Sequence, residues 1–568
     1  MDHSHINYKL KHAGTSSQTG YFAIVPEERI DFEKGLSLLK SRPFDSFLHK
    51  YLLDTLSDMD EASIQTVYRS AKDDSDWCAL SLFAEHVIAQ SGPSGLTAYF
   101  DDEQKETVKQ ASPLVHIRNA LQPNRRLHRQ WIGIFRDNIL GHAPLPAAEE
   151  VQLPFICSGE CGYQPPSGPA LSDLAPGFQE TTEPVKPVPS DITVERALSG
   201  LEKAGVKLGH EMRHQSSLSP FGLLRKWEFS VDSSCGRNLY TLSGGQTSYG
   251  KGLTMEDAQA SLTMEIVERR SVFADISARE IPGYRNAYPI FQAPYSELST
   301  DTVHAVHPGK LALEVPYEDE PLYWIKGQTP GENDLENAMV PVQSVFLFCN
   351  PDEPDLFSGL GSTGIASGNT MEQAKIAALL EIFERHQEAT VPFKEKDCFK
   401  LVTGNENIGD LLRAYKSYGI DLVFQDLTPK TGIPCCKCFV TDPTGHIRKG
   451  TAAALNARKA ILSAIMETPH PFPEGERTLQ DTADRIMVDF DHLPNYSTGN
   501  FARDLEMLEK LLLSNGLRPY YVDLTRDDIG IPVVKAVIEG MEILGDFDEF
   551  SRVHPELFFN YLESAGSR

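Results

Sequence analysis

The sequence has 568 residues, 40% of them hydrophobic, and its 80 acidic side chains exceed the 53 basic ones to give a formal net charge of −27. This length is too great for one hydrophobic core, so we expect two or three domains, and the acidic balance argues against a generic nucleic-acid or anionic-membrane binder. Because it has no membrane-length apolar run, no signal peptide and only nine cysteines, the sequence predicts a cytoplasmic protein in a reducing compartment.

Residues 1–163 form an N-terminal region that the sequence assigns to no family. Apolar residues recur with helical spacing over 32–39, 47–56 and 77–88, so we predict that this region is mostly helical. A basic stretch runs from Arg118 to Arg136. It is either a partner surface or a solvated helix face, and the sequence favours the second.

A proline-rich segment follows, with seven prolines between Pro165 and Pro189. This composition predicts an extended linker over residues 164–192, after which a last domain covers 193–568. Cys157 and Cys161 stand beside the linker at a spacing found in zinc sites. A structural zinc site needs four ligands and the sequence has no obvious second pair, so metal binding by these two cysteines stays open.

Two stretches of the last domain, 252–269 and 368–385, align without a gap at a separation of 116 positions. Each follows a glycine-rich run and then has a threonine, Thr254 or Thr370, that is suited to cap a helix. Each helix then carries the motif Glu-x-x-Glu-Arg. A single such motif is usually a solvated helix face, but two copies behind two glycine-rich loops favour a binding site.

The glutamates of these helices predict a site for a divalent cation and phosphate. A third, degenerate copy adds one glutamate on a short helix that ends before Pro469. Carboxylates suit hard cations such as Mg²⁺, and glycine-rich loops at helix starts suit phosphate. Without cations the cluster would be costly, because neighbouring carboxylates raise each other's pKa. The predicted metal ligands are Glu265, Glu268, Glu381, Glu384 and Glu467.

A second internal repeat predicts two strand–turn–strand units, over 420–440 and 520–538, each behind a helical segment. Sheets flanked by helices indicate an α/β or α+β domain. Cys435, Cys436 and Cys438 lie in the first unit, where the second has valine, valine and alanine. We therefore interpret these cysteines as small apolar residues of a strand.

The glutamate motifs resemble those of the YcaO family. Gly250-Lys251-Gly252 with the first Glu-x-x-Glu-Arg matches the family's first element, and the second and third helices match the others. The resemblance covers roughly residues 193–548. It implies an α/β (α+β) YcaO-like domain built from duplicated helix–strand units, preceded by the mostly helical N-terminal region. It also implies that ATP and Mg²⁺ are cofactors, with the nucleotide contacted by Lys251, Ser261, Arg269 and Arg385 and the metal held by the five glutamates.

The resemblance implies an enzyme that phosphorylates a backbone amide oxygen of a peptide. Attack by a side chain then gives an azoline, and attack by a sulfur source gives a thioamide. Azoline-forming members often end in a Pro-x-Pro-x-Pro tail, which residues 561–568 lack, so we expect thioamide-type chemistry. The alternative is an ATP-binding accessory factor for methylthiolation of a ribosomal protein. The expected partners are a peptide or protein substrate and a sulfur-donating or methylthiolating protein, with a homodimer left open and no catalytic residue assigned.

Overall fold

The computed structural model describes residues 5–14, 20–156, 163–180, 182–215, 217–298, 303–331, 334–470 and 477–564. Cys157 and Cys161 lie outside these residues, so the zinc question stays open. Among the helices in the described ranges, none combines the length and apolar character needed to cross a bilayer.

The described N-terminal region is a β-hairpin followed by helices, which confirms its mostly helical character. Five of the helices begin after an aspartate whose carboxylate accepts a backbone N–H of the first turn, as expected for good N-caps. The elements are β1 (Ile6–Gly14), β2 (Gly20–Pro26), α1 (Phe32–Ser41), α2 (Ser46–Ser57), α3 (Glu61–Asp73), α4 (Trp77–Ser91), α5 (Asp102–Ala111), α6 (Val115–Ala120) and α7 (Arg125–Ile139).

The remainder of the chain alternates helices and strands. Its helices are α8 (Leu171–Gln179), α9 (Ser190–Lys203), α10 (Met255–Val272), α11 (Tyr295–Leu298), α12 (Met371–Thr390), α13 (Glu406–Ser417), α14 (Ala457–Glu467), α15 (Phe501–Ser514) and α16 (Pro555–Ser564). Its strands are β3 (Leu208–Arg213), β4 (Phe221–Cys235), β5 (Asn238–Gly252), β6 (Glu280–Ile281), β7 (Tyr288–Pro289), β8 (Phe291–Ala293), β9 (His304–Ala305), β10 (Leu322–Pro330), β11 (Leu335–Pro341), β12 (Ile365–Ser367), β13 (Cys398–Val402), β14 (Val423–Asp426), β15 (Cys435–Thr441), β16 (Ile447–Ala453), β17 (Ile486–Asp489), β18 (Pro519–Asp523) and β19 (Val533–Ile538).

Within the described residues these strands form three large sheets and one small one. The orders are β2-β1-β5-β4-β3, then β12-β19-β18-β10-β11-β9 with β8 beside β10, then β16-β15-β14-β13-β17, and β6-β7. Helix α10 packs mainly on the first sheet and also contacts β12 and β19 of the second, whereas α12 contacts the second sheet, at β12 and β19, and the third, at β15 and β16. The mixed α/β class expected from the sequence is confirmed, and α10 and α12 both contact the second sheet.

The N-terminal hairpin was not expected, and it ties the first residues to the last domain. Strand β1 pairs in parallel with β5, with Leu10 opposite Gly244. Tyr8 and Phe83 also share one hydrophobic core with Trp227. The alternation of apolar Ile6, Tyr8 and Leu10 with polar residues is a strand signal that the sequence did contain. The domain limits stay a prediction, but the region before residue 163 completes a sheet of the rest.

The prediction of an extended linker over 164–192 is wrong at residues 171–179. This stretch forms α8, which buries Leu171, Ala175 and Phe178. These side chains pack in one core with Leu508 and Leu512 of α15. Although this stretch lies among prolines, its three apolar residues at helical spacing provide enough burial to dock a short helix.

The second repeat folds as predicted, with β14 antiparallel to β15 and β18 antiparallel to β19. The cysteines of β15 are buried and form no disulfide. Burial raises the pKa of the Cys438 thiol to about 12, so this group is neutral. Their environment supports the interpretation of these cysteines as apolar strand residues.

Candidate active site

Each copy of the glycine–helix repeat brings a strand end against the first turns of a helix. A Cβ added to Gly252 would lie 2.5 Å from the backbone nitrogen of Ala258, and one added to Gly368 would lie 2.6 Å from that of Ala374. Real Cβ atoms do not approach so closely, so only glycine permits this packing. The repeated sequence therefore produces the same backbone contact twice.

Both helices begin with the predicted threonine cap. Thr254 Oγ1 accepts the Asp257 N–H at 3.1 Å, and Thr370 Oγ1 accepts the Gln373 N–H at 3.2 Å. Such caps satisfy one of the free N–H groups of the first turn. The capped helix starts fix where the glutamates of α10 and α12 project.

The first glutamate of each motif accepts a hydrogen bond from the backbone that precedes its helix. Glu265 accepts the Tyr249 N–H at 3.1 Å, and Glu381 accepts the Gly364 N–H at 3.2 Å. These contacts orient the two carboxylates in nearly equivalent ways. The strand or loop before the helix thus positions the first glutamate in both copies.

The second glutamate of each motif is mostly buried and lies beside the arginine that follows it. Arg269 is 3.7 Å from Glu268, and Arg385 is 3.7 Å from Glu384. Burial nevertheless raises the pKa of both carboxyl groups to about 8. Burial also raises the pKa of Glu265 and Glu381. The arginines only partly offset the cost of burying these charges, so a bound cation would stabilise the ionised cluster.

The third helix brings its glutamate to the same place. Glu467 at the end of α14 lies 2.6 Å from the ammonium of Lys251, which belongs to the glycine-rich end of β5. Electrostatic repulsion from Glu467 contributes to the raised pKa of Glu265 and of Glu384. The structure therefore brings together the predicted glutamates of all three helices, together with Lys251, Arg269 and Arg385.

Two residues of this cluster, Glu388 and Lys449, were not predicted from the sequence. Glu388 lies one turn beyond Glu384 on α12, 2.7 Å from the ammonium of Lys449 and 3.5 Å from the guanidinium of Arg385. Although burial opposes it, the charge of Lys449 holds the pKa of Glu388 below its usual value. The spacing of 381, 384 and 388 places all three on one helix face, which is the signal that could have identified Glu388.

Among the residues that the structure describes, no group of three or more Asp, Glu, His or Cys side chains is arranged to hold a metal ion. The glutamates instead lie against lysine and arginine side chains. Mg²⁺ is usually held by one or two carboxylates together with substrate phosphates, rather than by a cage of protein ligands. The donor set therefore fits Mg²⁺ that arrives with a nucleotide. The individual ligand roles of the five glutamates stay predictions.

Two further polar residues of α10 and α12 have clear surroundings. Ser261, a predicted nucleotide contact, is exposed one turn before Glu265. His386 is buried; its Nδ1 accepts the Glu542 N–H at 2.9 Å, and its Nε2 lies 2.9 Å from Glu556. His386 thus holds the C-terminal segment and α16 against α12, which is a structural role.

A segment without regular structure lines two cavities, the smaller of which includes residues of the cluster. Glu542–Phe547 lines a cavity of about 170 Å³ together with Arg385, Glu388 and Lys449. Residues of the same segment also line a cavity of about 780 Å³, whose far wall includes Ile132 of α7. Phe547 in this segment has a left-handed backbone with φ of 49°, which is strained for an aromatic residue.

A sequence model of the family described as YcaO cyclodehydratase, ATP- and Mg²⁺-binding, matches residues 249–471 and 469–542, together more than half of the chain. The chain belongs to the YcaO family. The matched residues contain both copies of the glycine–helix repeat and the third glutamate helix. ATP and Mg²⁺ are accordingly the cofactors of this YcaO protein, as the sequence predicted.

Several known proteins are similar to this YcaO chain. An uncharacterized protein of Methanothermobacter thermautotrophicus is 27% identical over 330 residues, which is 52% of this chain and 81% of that protein. A heterocyclase in complex with substrate and cofactor is 19% identical with a TM-score of 0.48, over 64% of this chain but only 55% of the heterocyclase. YcaO from Methanopyrus kandleri bound with AMPPCP and Mg²⁺ is 19% identical with a TM-score of 0.45, over 62% of this chain and 90% of that one.

Proposed function

We propose that this YcaO protein uses ATP and Mg²⁺ to phosphorylate a backbone amide oxygen of a peptide. The observation that carries the proposal is the convergence of two equivalent helices on one cluster, each with a Glu-x-x-Glu-Arg motif whose second glutamate is mostly buried. Phosphoryl transfer requires mainly positioning and charge neutralisation, and this cluster contains groups for both.

When bound, ATP supplies the phosphoryl group and Mg²⁺ offsets the charge of the phosphates. The chain's own part is an exchange of partners. In the free protein Lys251 lies against Glu467, and Arg269 and Arg385 lie against glutamates of their own helices. These three cations are the groups that would contact phosphate oxygens of a bound nucleotide, since such charge-assisted contacts are strong. The glutamates that they now contact would then be available to hold the metal ion.

We place the peptide in the cavity of about 780 Å³, because residues of the segment Glu542–Phe547 line both this cavity and the smaller one beside Arg385. Its size lies within the range of roughly 300–1,000 Å³ that is usual for ligand pockets. Its walls combine apolar residues such as Ile132 and Phe558 with polar ones such as Lys310. A short extended peptide suits this lining better than a highly charged ligand does.

For the product, we propose a thioamide or a related modification rather than an azoline, following the sequence expectation. The test compares, by mass spectrometry, the peptides and proteins of cells that express either the wild-type chain or its Glu384→Gln variant. A peptide that exchanges oxygen for sulfur only with the wild type supports the proposal. Loss of water indicates an azoline, and a methylthio group on a ribosomal protein indicates the accessory role. No modified peptide, together with no ADP formed, contradicts amide activation.

A further inference from the structure

The duplicated hairpins each bury a lysine at the same position of the repeat. These are Lys437 on β15 and Lys535 on β19, and each side chain is only 2% exposed. Lysine is rarely buried, because an ammonium loses its hydration there. Burial lowers the pKa of Lys437 to about 7 and that of Lys535 to about 8. Two such residues at equivalent positions call for a reason beyond packing.

Lys535 reaches the loop that leads into α12. Its ammonium donates to the carbonyl oxygen of Thr363 at 2.6 Å. The next residue, Gly364, donates its N–H to Glu381 at 3.2 Å. Gly364 has a left-handed backbone, and a Cβ there would lie 2.6 Å from the carbonyl oxygen of Ala536. The loop is therefore fixed from both sides at the point where it holds the first glutamate of α12.

Lys437 lies toward the other end of the same helix. Its ammonium lies 5.4 Å from the ring centre of Phe393, and its charged neighbours include Lys449 and Glu388. Glu388 is seven residues beyond Glu381, which is about two helical turns. The two lysines are thus alike in strand position and burial but act on different parts of α12. The chain therefore contains its own matched control.

We propose that Lys535 is a positioning residue of the nucleotide site. It holds the Thr363 carbonyl, which fixes the Gly364 N–H that orients Glu381. The consequence for nucleotide affinity rests on the proposed function, whereas the consequence for the loop does not.

The loop is tested first, in the nucleotide-free protein. Hydrogen exchange, measured by mass spectrometry on the segment 358–368, should be faster in Lys535→Met than in the wild type. Lys437→Met removes an equally buried ammonium and should leave this segment at the wild-type rate. Wild-type protection in Lys535→Met would overturn the inference. So would an equal loss of protection in both variants, since that would indicate a general loss of stability.

Calorimetric titration with Mg·ATP then tests the effect on the site. We expect Lys535→Met to bind about 10–100-fold more weakly, the size typical of residues that support a metal ligand. Lys437→Met should match the wild type, and Lys535→Arg, which keeps the charge and a donor, should recover most of the loss. Equal affinity of Lys535→Met and wild type would overturn the inference. If the wild type itself binds no Mg·ATP, the proposed function fails, and the exchange experiment alone decides the role of Lys535.

Discussion

The two copies of the glycine–helix repeat are alike in backbone and unlike in charge. In both, a glycine lies under the helix start and a backbone N–H orients the first glutamate. The glycine-rich end of β5, which leads into α10, contains Lys251, which is partly accessible and lies against Glu467. The loop of the α12 copy, residues 359–370, contains no lysine. There the positive charge comes from Lys535 and Lys449, which belong to neighbouring strands.

This difference shows how a duplication diverged around one site. The helix of the α10 copy packs mainly on the first sheet, and its lysine, Lys251, is partly accessible. The helix of the α12 copy packs between the second and third sheets, and Lys535 and Lys449 belong to strands of these two sheets. We infer that the first copy contributes more of the nucleotide contacts and the second more of the positioning. The predictions below test how far the copies are equivalent.

The largest effect is expected for Glu268→Gln and Glu384→Gln, the same change in each copy. Each should weaken Mg·ATP binding by at least about 100-fold, or ~2.7 kcal/mol, because a charged ligand of the metal is lost. Titration calorimetry measures this. If only one variant loses affinity, the copies are not equivalent.

The same two variants should stabilise the nucleotide-free protein. Both carboxyl groups have a folded pKa of about 8, well above the usual value, so the folded state is penalised as the pH rises through this range. Glutamine lacks the penalty, and above pH 8 we expect a gain of about 1 kcal/mol or more in the free energy of unfolding. Chemical denaturation at two pH values checks the sign. Destabilisation at high pH would mean that these glutamates are structural.

The next effect concerns the glycines. Gly252→Ala and Gly368→Ala introduce the same clash with a helix backbone, so each should lower the free energy of unfolding by about 1–3 kcal/mol. Thermal or denaturant unfolding measures both. Matched losses would confirm that the two contacts are equivalent, whereas a neutral Gly368→Ala would show that the α12 copy can shift.

The sequence predicted the parts of the site that come from repetition. Paired glutamates, threonine caps and duplicated hairpins are local patterns, and local patterns fix the helices and strands that carry them. Glu388 shares a helix face with Glu381 and Glu384, and Lys535 lies in the second of the repeated hairpins. Their roles, however, depend on which strands pack against α12. Strand β5, which pairs with β1, and helix α15, which packs with α8, are each more than 200 residues away in the chain, and no local periodicity specifies such pairings. Sequence order gave no sign that the N-terminal hairpin completes the first sheet.

A smaller effect is expected for Lys251→Met. It should weaken Mg·ATP binding about 10-fold, since one charged phosphate contact is lost. It should change the free energy of unfolding by less than about 1 kcal/mol, because a partly exposed ion pair contributes little. Lys449→Met breaks an equally close pair in the α12 copy and is the matched control. A larger loss of affinity in Lys449→Met than in Lys251→Met would contradict the inference that the α10 copy contributes more of the nucleotide contacts.

The smallest effect is a dependence of binding on pH. The pKa of Glu268 and of Glu384 is raised to about 8, and the predicted role of both as metal ligands would require their ionised forms. Binding should therefore release protons, and each of the two groups should contribute a roughly five-fold rise in affinity as the pH increases from about 7 to about 8. Calorimetry in buffers of different ionisation enthalpy counts the protons. Glu268→Gln and Glu384→Gln should each reduce the number of protons released on binding by a similar amount. Proton uptake on binding by the wild type would contradict this account.

The most direct test of the central claim is a calorimetric titration of Mg·ATP into the wild-type protein and into Glu381→Gln. We predict saturable binding by the wild type and a large loss of affinity in the variant, with both proteins folded. Absence of binding by folded wild type, or equal binding by the two proteins, would contradict the claim that the repeated glutamates form a nucleotide site.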